Sequence, residues 1–154
     1  ALVLQDALES LGIEVHVQSV IEIGRMVEPY NRKQCLRYMK EKKAVILAGG
    51  LGNPYFTTDT SAALKAIELG AEVLLKATKV DGVYSADPMV DPKARFYNKL
   101  TYSQVLNGHL KAMDATAITL CMENHLPIIV FNLRKGQNIQ RVIQKEPIGT
   151  YIGE

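Results

Sequence analysis

The chain has 154 residues, 47% of them apolar and 22% charged, with a formal net charge of +2, which suits one globular domain rather than a disordered or fibrous chain. So slight a charge gives no bulk attraction to nucleic acid or to an anionic membrane surface, and no apolar run approaches the ~20 residues needed to span a bilayer. Cys35 and Cys121 lack metal-ligand spacing and fall in helical patterns, so they read as reduced, structural cysteines of a cytosolic protein.

No signal-peptide pattern follows Ala1, and a start at alanine rather than methionine points to an incomplete chain. Leu2, Leu4, Ala7, Leu8 and Leu11 recur at helical spacing until Gly12 stops them. Residues 13–18 alternate apolar and polar, predicting a strand with one wet face. Residues 20–30 fit no single element, because Gly24 and Pro29 interrupt them. Asn31 then caps a basic helix reaching about Lys43, with Cys35, Leu36 and Met39 turned inward and the charges forming a solvated face. A buried strand follows at Val45 to Leu47.

Asp59 to Leu69 reads as a helix ended by Gly70, and Glu72 to Leu75 as the next strand. Residues 76–98 hold Asp81-Gly82, Asp87-Pro88 and Asp91-Pro92, all turn signals, and so long an excursion within a compact domain is usually functional. Thr101 opens a short helix to Leu106, and another spans about Lys111 to Asn124. Pro127 precedes a strand from Ile128 to Phe131. A last helix covers Asn138 to Ile143, and Thr150 to Ile152 forms a closing strand. This alternation predicts one α/β domain over residues 1–154 with a mostly parallel sheet. Ligands of such sheets bind at the carboxyl ends of the strands.

The stretch from Val45 to Asp59 runs strand, glycine-rich loop, helix cap. Gly49, Gly50 and Gly52 let a backbone approach a ligand closely, and the helix start offers N–H groups and a positive dipole end to an anion. No Gly-Lys-Ser/Thr closes the loop as a Walker A sequence would, and Tyr55 stands where a dinucleotide fingerprint needs its third glycine. The same residues also suit a plain turn with Thr58 or Asp59 as N-cap, and local physics leaves both readings open. Asp114 aligns at helical spacing with Ile118, Cys121, Met122 and His125. A carboxylate there must be paired or face a cleft, or simply complement the helix dipole. Lys76, Thr78 and Lys79 suit phosphate or plain surface; Tyr84 can stack on a base, and Asp87 can accept from a hydroxyl or shape a turn. His16, His109 and His125 are dispersed and read as structural or surface residues.

Gly52-Asn53-Pro54-Tyr55-Phe56-Thr57-Thr58-Asp59, followed by Lys76-Ala77-Thr78-Lys79-Val80-Asp81-Gly82-Val83-Tyr84-Ser85-Ala86-Asp87-Pro88, closely resembles the bacterial uridylate (UMP) kinases of the amino-acid-kinase superfamily. The likeness continues through Leu100-Thr101-Tyr102, Met113-Asp114-Ala115-Thr116-Ala117, residues 126–132 and Gly149-Thr150-Tyr151-Ile152. It implies a three-layer αβα sandwich with a mostly parallel central sheet, as in carbamate kinase, and transfer of the ATP γ-phosphoryl group to UMP with Mg²⁺, giving UDP in pyrimidine nucleotide biosynthesis.

By resemblance, Leu51, Gly52, Asn53, Pro54, Tyr55, Phe56, Thr57 and Thr58 would hold UMP, although Leu51 stands where the family often has threonine and loses that hydroxyl contact. Thr78, Tyr84 and Asp87 match ATP-contacting positions. Asp59 and Asp114 match acids near the transferring phosphate, organisers rather than general bases, with no protein metal ligand implied. The resemblance also implies a cytoplasmic homo-oligomer, commonly a hexamer, activated by GTP and inhibited by UTP. A lysine-bearing strand, a glycine-rich phosphate loop and a ribose-binding acid of the family have no counterpart after Ala1, so the chain corresponds to the C-terminal two-thirds of a subunit. The rival expectations are a non-catalytic nucleotide-binding module and another kinase of the superfamily; Asn53-Pro54-Tyr55-Phe56 argues against aspartate or acetylglutamate kinase.

Overall fold

Residues 1–154 are all described by the computed structural model, which orders six helices and nine strands. They fall into two compact units, residues 1–61 and 62–154.

In the first unit, α1 (Leu2–Glu9) leads into β1 (Val15–Ser19), followed by β2 (Glu28–Pro29), α2 (Arg32–Lys40) and β3 (Ala44–Ala48). The sheet order is β2-β1-β3 and both pairings are parallel. The wet face expected of β1 is nearly absent: Val15, Val17, Gln18 and Ser19 are buried, and His16 alone is half-buried. A strand flanked on both sides in a parallel sheet is covered on both faces. Gln18 tolerates this because its polar atoms are matched: Nε2 donates to Glu28 at 3.1 Å, and Oε1 accepts from the Asn31 amide and the Cys35 thiol at 2.9 Å each.

Asn31 caps α2 as expected, its side chain accepting from the Gln34 amide at 3.1 Å. Cys35 turns inward, but Met39 is 43% exposed and Tyr38 is buried in its stead. The tyrosine ring stacks on His16 with centroids 3.5 Å apart, and its hydroxyl donates to the Glu28 carboxylate while accepting from Gln34 at 2.6 Å. That polar set selects the inward face, and the next position along the helix is rotated towards water. β3 is half-buried rather than buried, consistent with its place at an edge of this sheet.

Helix α3 (Thr58–Leu69) ends before Gly70, whose φ is +69°. In the second unit come β4 (Leu74–Thr78), β5 (Val83–Tyr84), β6 (Phe96–Tyr97), β7 (Lys99–Thr101), α4 (Tyr102–Asn107), α5 (Ala115–Glu123), β8 (Ile128–Asn132), α6 (Asn138–Ile143) and β9 (Thr150–Gly153). The sheet order is β4-β8-β9-β7, with β8–β9 antiparallel and the outer pairs parallel; β5 and β6 form a separate antiparallel hairpin. The α/β class with parallel-rich sheets is as the sequence predicts. β4 lies later than expected, since pairing with β8 runs from Leu74↔Ile128 to Thr78↔Asn132. Tertiary pairing, not the local apolar run, sets that register, and it brings Lys76 and Thr78 into the strand.

Ile118, Cys121, Ile128, Val130 and Ile152 centre the core of this unit. Tyr102 joins them and donates its hydroxyl to the Leu126 carbonyl at 2.6 Å; burial pushes that phenol up to about 12. Thr101 caps α4 through a reciprocal box with Gln104. α5 starts at Ala115 rather than near Lys111, because Asp114 caps it there.

Candidate functional site

In the first unit the expected ligand-binding residues lie in and after the turn that follows β3. Gly49, Gly50 and Gly52 have φ of +81°, +62° and +72°, a backbone region costly for residues with a Cβ. A Cβ at Gly49 would also sit 3.0 Å from Ser19 Oγ. The Gly52 amide donates to the Gly49 carbonyl at 3.2 Å and closes the turn. Beyond it, residues 52–58 are exposed; Tyr55 is fully in solvent at φ +69° and Phe56 is half in solvent. Leu51 and Asp59 are half-buried.

The cap of α3 is Thr57, one residue before the expected Thr58 and two before Asp59. Its Oγ1 accepts from the amides of Asp59 at 3.1 Å and Thr60 at 3.4 Å, a reach open only to the residue just outside the first turn. Asp59 is the acid of that turn, favoured by the helix dipole.

In the second unit the expected excursion after β4 is a built structure. Thr78 closes the strand, and its hydroxyl is directed at the carbonyls of Val80 at 2.7 Å and Phe131 at 3.2 Å. Lys76 is half-buried within β4, and Lys79 is exposed. Asp81 then accepts from Asn132 Nδ2 at 3.0 Å and pairs with Lys135 at 2.8 Å. The bonds from Lys135 and Asn132 outweigh burial and hold its carboxyl below the ordinary 3.8. Gly82 packs tightly: a Cβ there would lie 2.5 Å from Thr150 Oγ1 and 3.0 Å from the Thr150 amide.

Tyr84 lies on the hairpin opposite Phe96, the two rings edge-to-face at 5.2 Å. Asp87 shapes a turn, accepting from the Met89 amide on Oδ1 at 2.9 Å and from the amides of Val90 and Asp91 on its carbonyl. Thr78, Tyr84 and Asp87 thus lie along one structured excursion that leaves the carboxyl end of β4.

Asp114 is half-buried at the start of α5, where Oδ1 accepts from the Ala117 amide at 2.7 Å. Ile118 and Cys121 behind it are fully buried, and burial pushes the Cys121 thiol up to about 11. His125 lies outside that stripe, exposed and hydrogen-bonded to Glu154, because the helix ends before it. His16 is the stacked partner of Tyr38, and His109 is exposed.

The structure therefore places Leu51 to Asp59 in the first unit, and Thr78, Tyr84, Asp87 and Asp114 in the second. Sequence reading missed Asp81, Asn132 and Lys135 as a set. Asp81-Gly82 signals a turn, and nothing local announces that its carboxylate reaches the strand end 51 residues on.

The family model described as the amino acid kinase family matches residues 1–132. The chain belongs to that family. Solved structures agree with this member of the family over most of its length. UMP kinase from Bacillus anthracis is 34% identical with a TM-score of 0.94, the match covering 99% of this chain and 63% of that one. UMP kinase from Ureaplasma parvum is 35% identical at 0.92, covering 99% and 65%. Uridylate kinase from Archaeoglobus fulgidus is 32% identical at 0.65, covering 81% and 59%. The match thus covers 59–65% of the length of these relatives.

Proposed function

We propose that this amino acid kinase is a UMP kinase, transferring the γ-phosphoryl group of ATP to UMP to give UDP and ADP in pyrimidine nucleotide biosynthesis. The observation that carries the reading is agreement with two UMP kinases over 99% of the chain, at TM-scores of 0.94 and 0.92. Leu51 to Thr58 would take UMP: their turn presents glycine backbone, exposed aromatics and threonine hydroxyls at a helix start, donors suited to phosphate and a base. Thr78, Tyr84 and Asp87 would take ATP at the carboxyl edge of a parallel pair.

Phosphoryl transfer needs positioning and charge stabilisation more than covalent help from the protein. Asp114, pinned by its cap bond, and Asp59 in the first turn of α3 would serve as fixed organisers of charge. Mg²⁺ would be held chiefly by the phosphate oxygens of ATP and by water, and a carboxylate such as Asp114 is of the chemistry that would orient such water. When bound with ATP it offsets negative charge on the transferring group. A cytoplasmic homohexamer responding to GTP and UTP belongs to the same proposal; no helix here is long and apolar enough to cross a membrane.

Ligand-dependent melting tests the reading, because a ligand that binds only the folded state raises the melting temperature. UMP and Mg²⁺-ATP are each expected to raise it, with CMP weaker than UMP. A melt that none of them moves would count against the proposal.

A further inference from the structure

Lys135 and Asp81 are 54 residues apart and form an ion pair at the surface, with side chains 62% and 42% exposed. Such a pair adds little to folding, yet this one is mounted on a buried support. Asn132, 8% exposed, donates to Asp81 and accepts on Oδ1 from the Arg134 amide at 2.9 Å. Asn138, 6% exposed, donates to the Asn132 carbonyl at 2.8 Å. The Leu133 amide donates to the Thr78 carbonyl at 3.0 Å. Together these bonds tie the segment leaving β4 to the segment leaving its parallel neighbour β8, at the edge where ligands of such sheets bind. Asp81 lies between Thr78 on one side and Tyr84 and Asp87 on the other.

We propose that Lys135, Asp81 and Asn132 form a clip that positions the 78–87 segment for the nucleoside triphosphate. They are positioning residues: Lys135 acts by holding Asp81, not by touching the nucleotide. The proposal rests on the kinase reading above, and deepens its ATP side. The depressed titration of Asp81 accords with a carboxylate kept charged by its two donors.

Lys135→Met, Asp81→Asn and Lys135→Arg decide it, with dissociation constants for Mg²⁺-ATP and UMP, melting temperature, and both KM values where turnover is seen. Met and Asn are each expected to weaken ATP about fivefold or more, with UMP affinity held within about twofold and melting unchanged, while Arg restores most of the ATP affinity. ATP affinity within about twofold of the parent in both variants would overturn the clip. So would weakening in Lys135→Met alone, which marks a direct contact between lysine and nucleotide. Equal loss of ATP and UMP affinity with lowered melting would reduce the set to a structural role. A parent chain that binds ATP without phosphorylating UMP defeats the kinase reading and leaves the clip to be judged by the dissociation constants. One that binds no ATP defeats both.

Discussion

Asp114 Oδ1 accepts the Ala117 amide hydrogen at 2.7 Å, so the carboxylate proposed to act at the transferring phosphate also starts α5. The two duties separate by substitution. Asparagine caps a helix about as well as aspartate, whereas alanine costs about 1 kcal/mol. Asp114→Asn is therefore expected to melt with the parent and to lose kcat by far more than it loses UMP affinity. Asp114→Ala is expected to lose stability as well. An unchanged kcat in the asparagine variant would reduce this residue to a cap.

Gly82 meets Thr150 with no room for a methyl group, and Thr150 Oγ1 accepts from the neighbouring Val83 amide at 2.8 Å. Gly82→Ala must displace Thr150 Oγ1 and the Phe96 ring, 2.5 and 2.9 Å from the added methyl, and presses on the Thr150 amide at 3.0 Å. Overpacking of this kind costs about 1–3 kcal/mol, readable as a lower denaturant midpoint at unchanged slope. A midpoint equal to the parent's would show that the segment yields freely.

Glu28 titrates below its ordinary 4.5: burial alone would raise it, and bonds from Gln18, His16 and Tyr38 together prevail. A carboxyl depressed in the folded state binds fewer protons there than in the unfolded chain, so its stabilisation is present above the ordinary value and is lost as pH falls through the folded one. Glu28→Gln is expected to flatten the acid limb of the stability profile, measured as denaturant midpoints across a pH series. An equally steep limb would assign the acid loss to other carboxyls.

Local signals were legible wherever one or two residues carry the physics. Asn31 caps α2, Gly70 follows α3, and the glycines after β3 hold the left-handed turn. The sequence was mute where the partner is distant. Tyr38 turns inward, not Met39, because His16 and Glu28 wait for it from β1 and β2. Gln18 looks like a solvent residue by alternation, yet it bridges Glu28, Asn31 and Cys35 in the interior. The turn at the glycine loop was readable from its own residues; the Asp81–Lys135 pair needed β4 and β8 paired before Lys135 came within reach.

Both cysteines are wholly buried, and Cys121 is held protonated by its apolar surroundings, its thiol near 11. Since the thiolate is the reactive form, Ellman's reagent at about pH 8 is expected to find no thiol in the native protein and both after denaturation. Rapid reaction of the native protein would contradict this packing.

Initial rates of ADP formation from Mg²⁺-ATP, with UMP, CMP and dCMP supplied separately, decide whether the protein is a UMP kinase. UMP is expected to support the highest kcat/KM, with UDP accumulating in step with ADP. Preference for CMP or dCMP, or binding of ATP and UMP with no UDP formed, would contradict it.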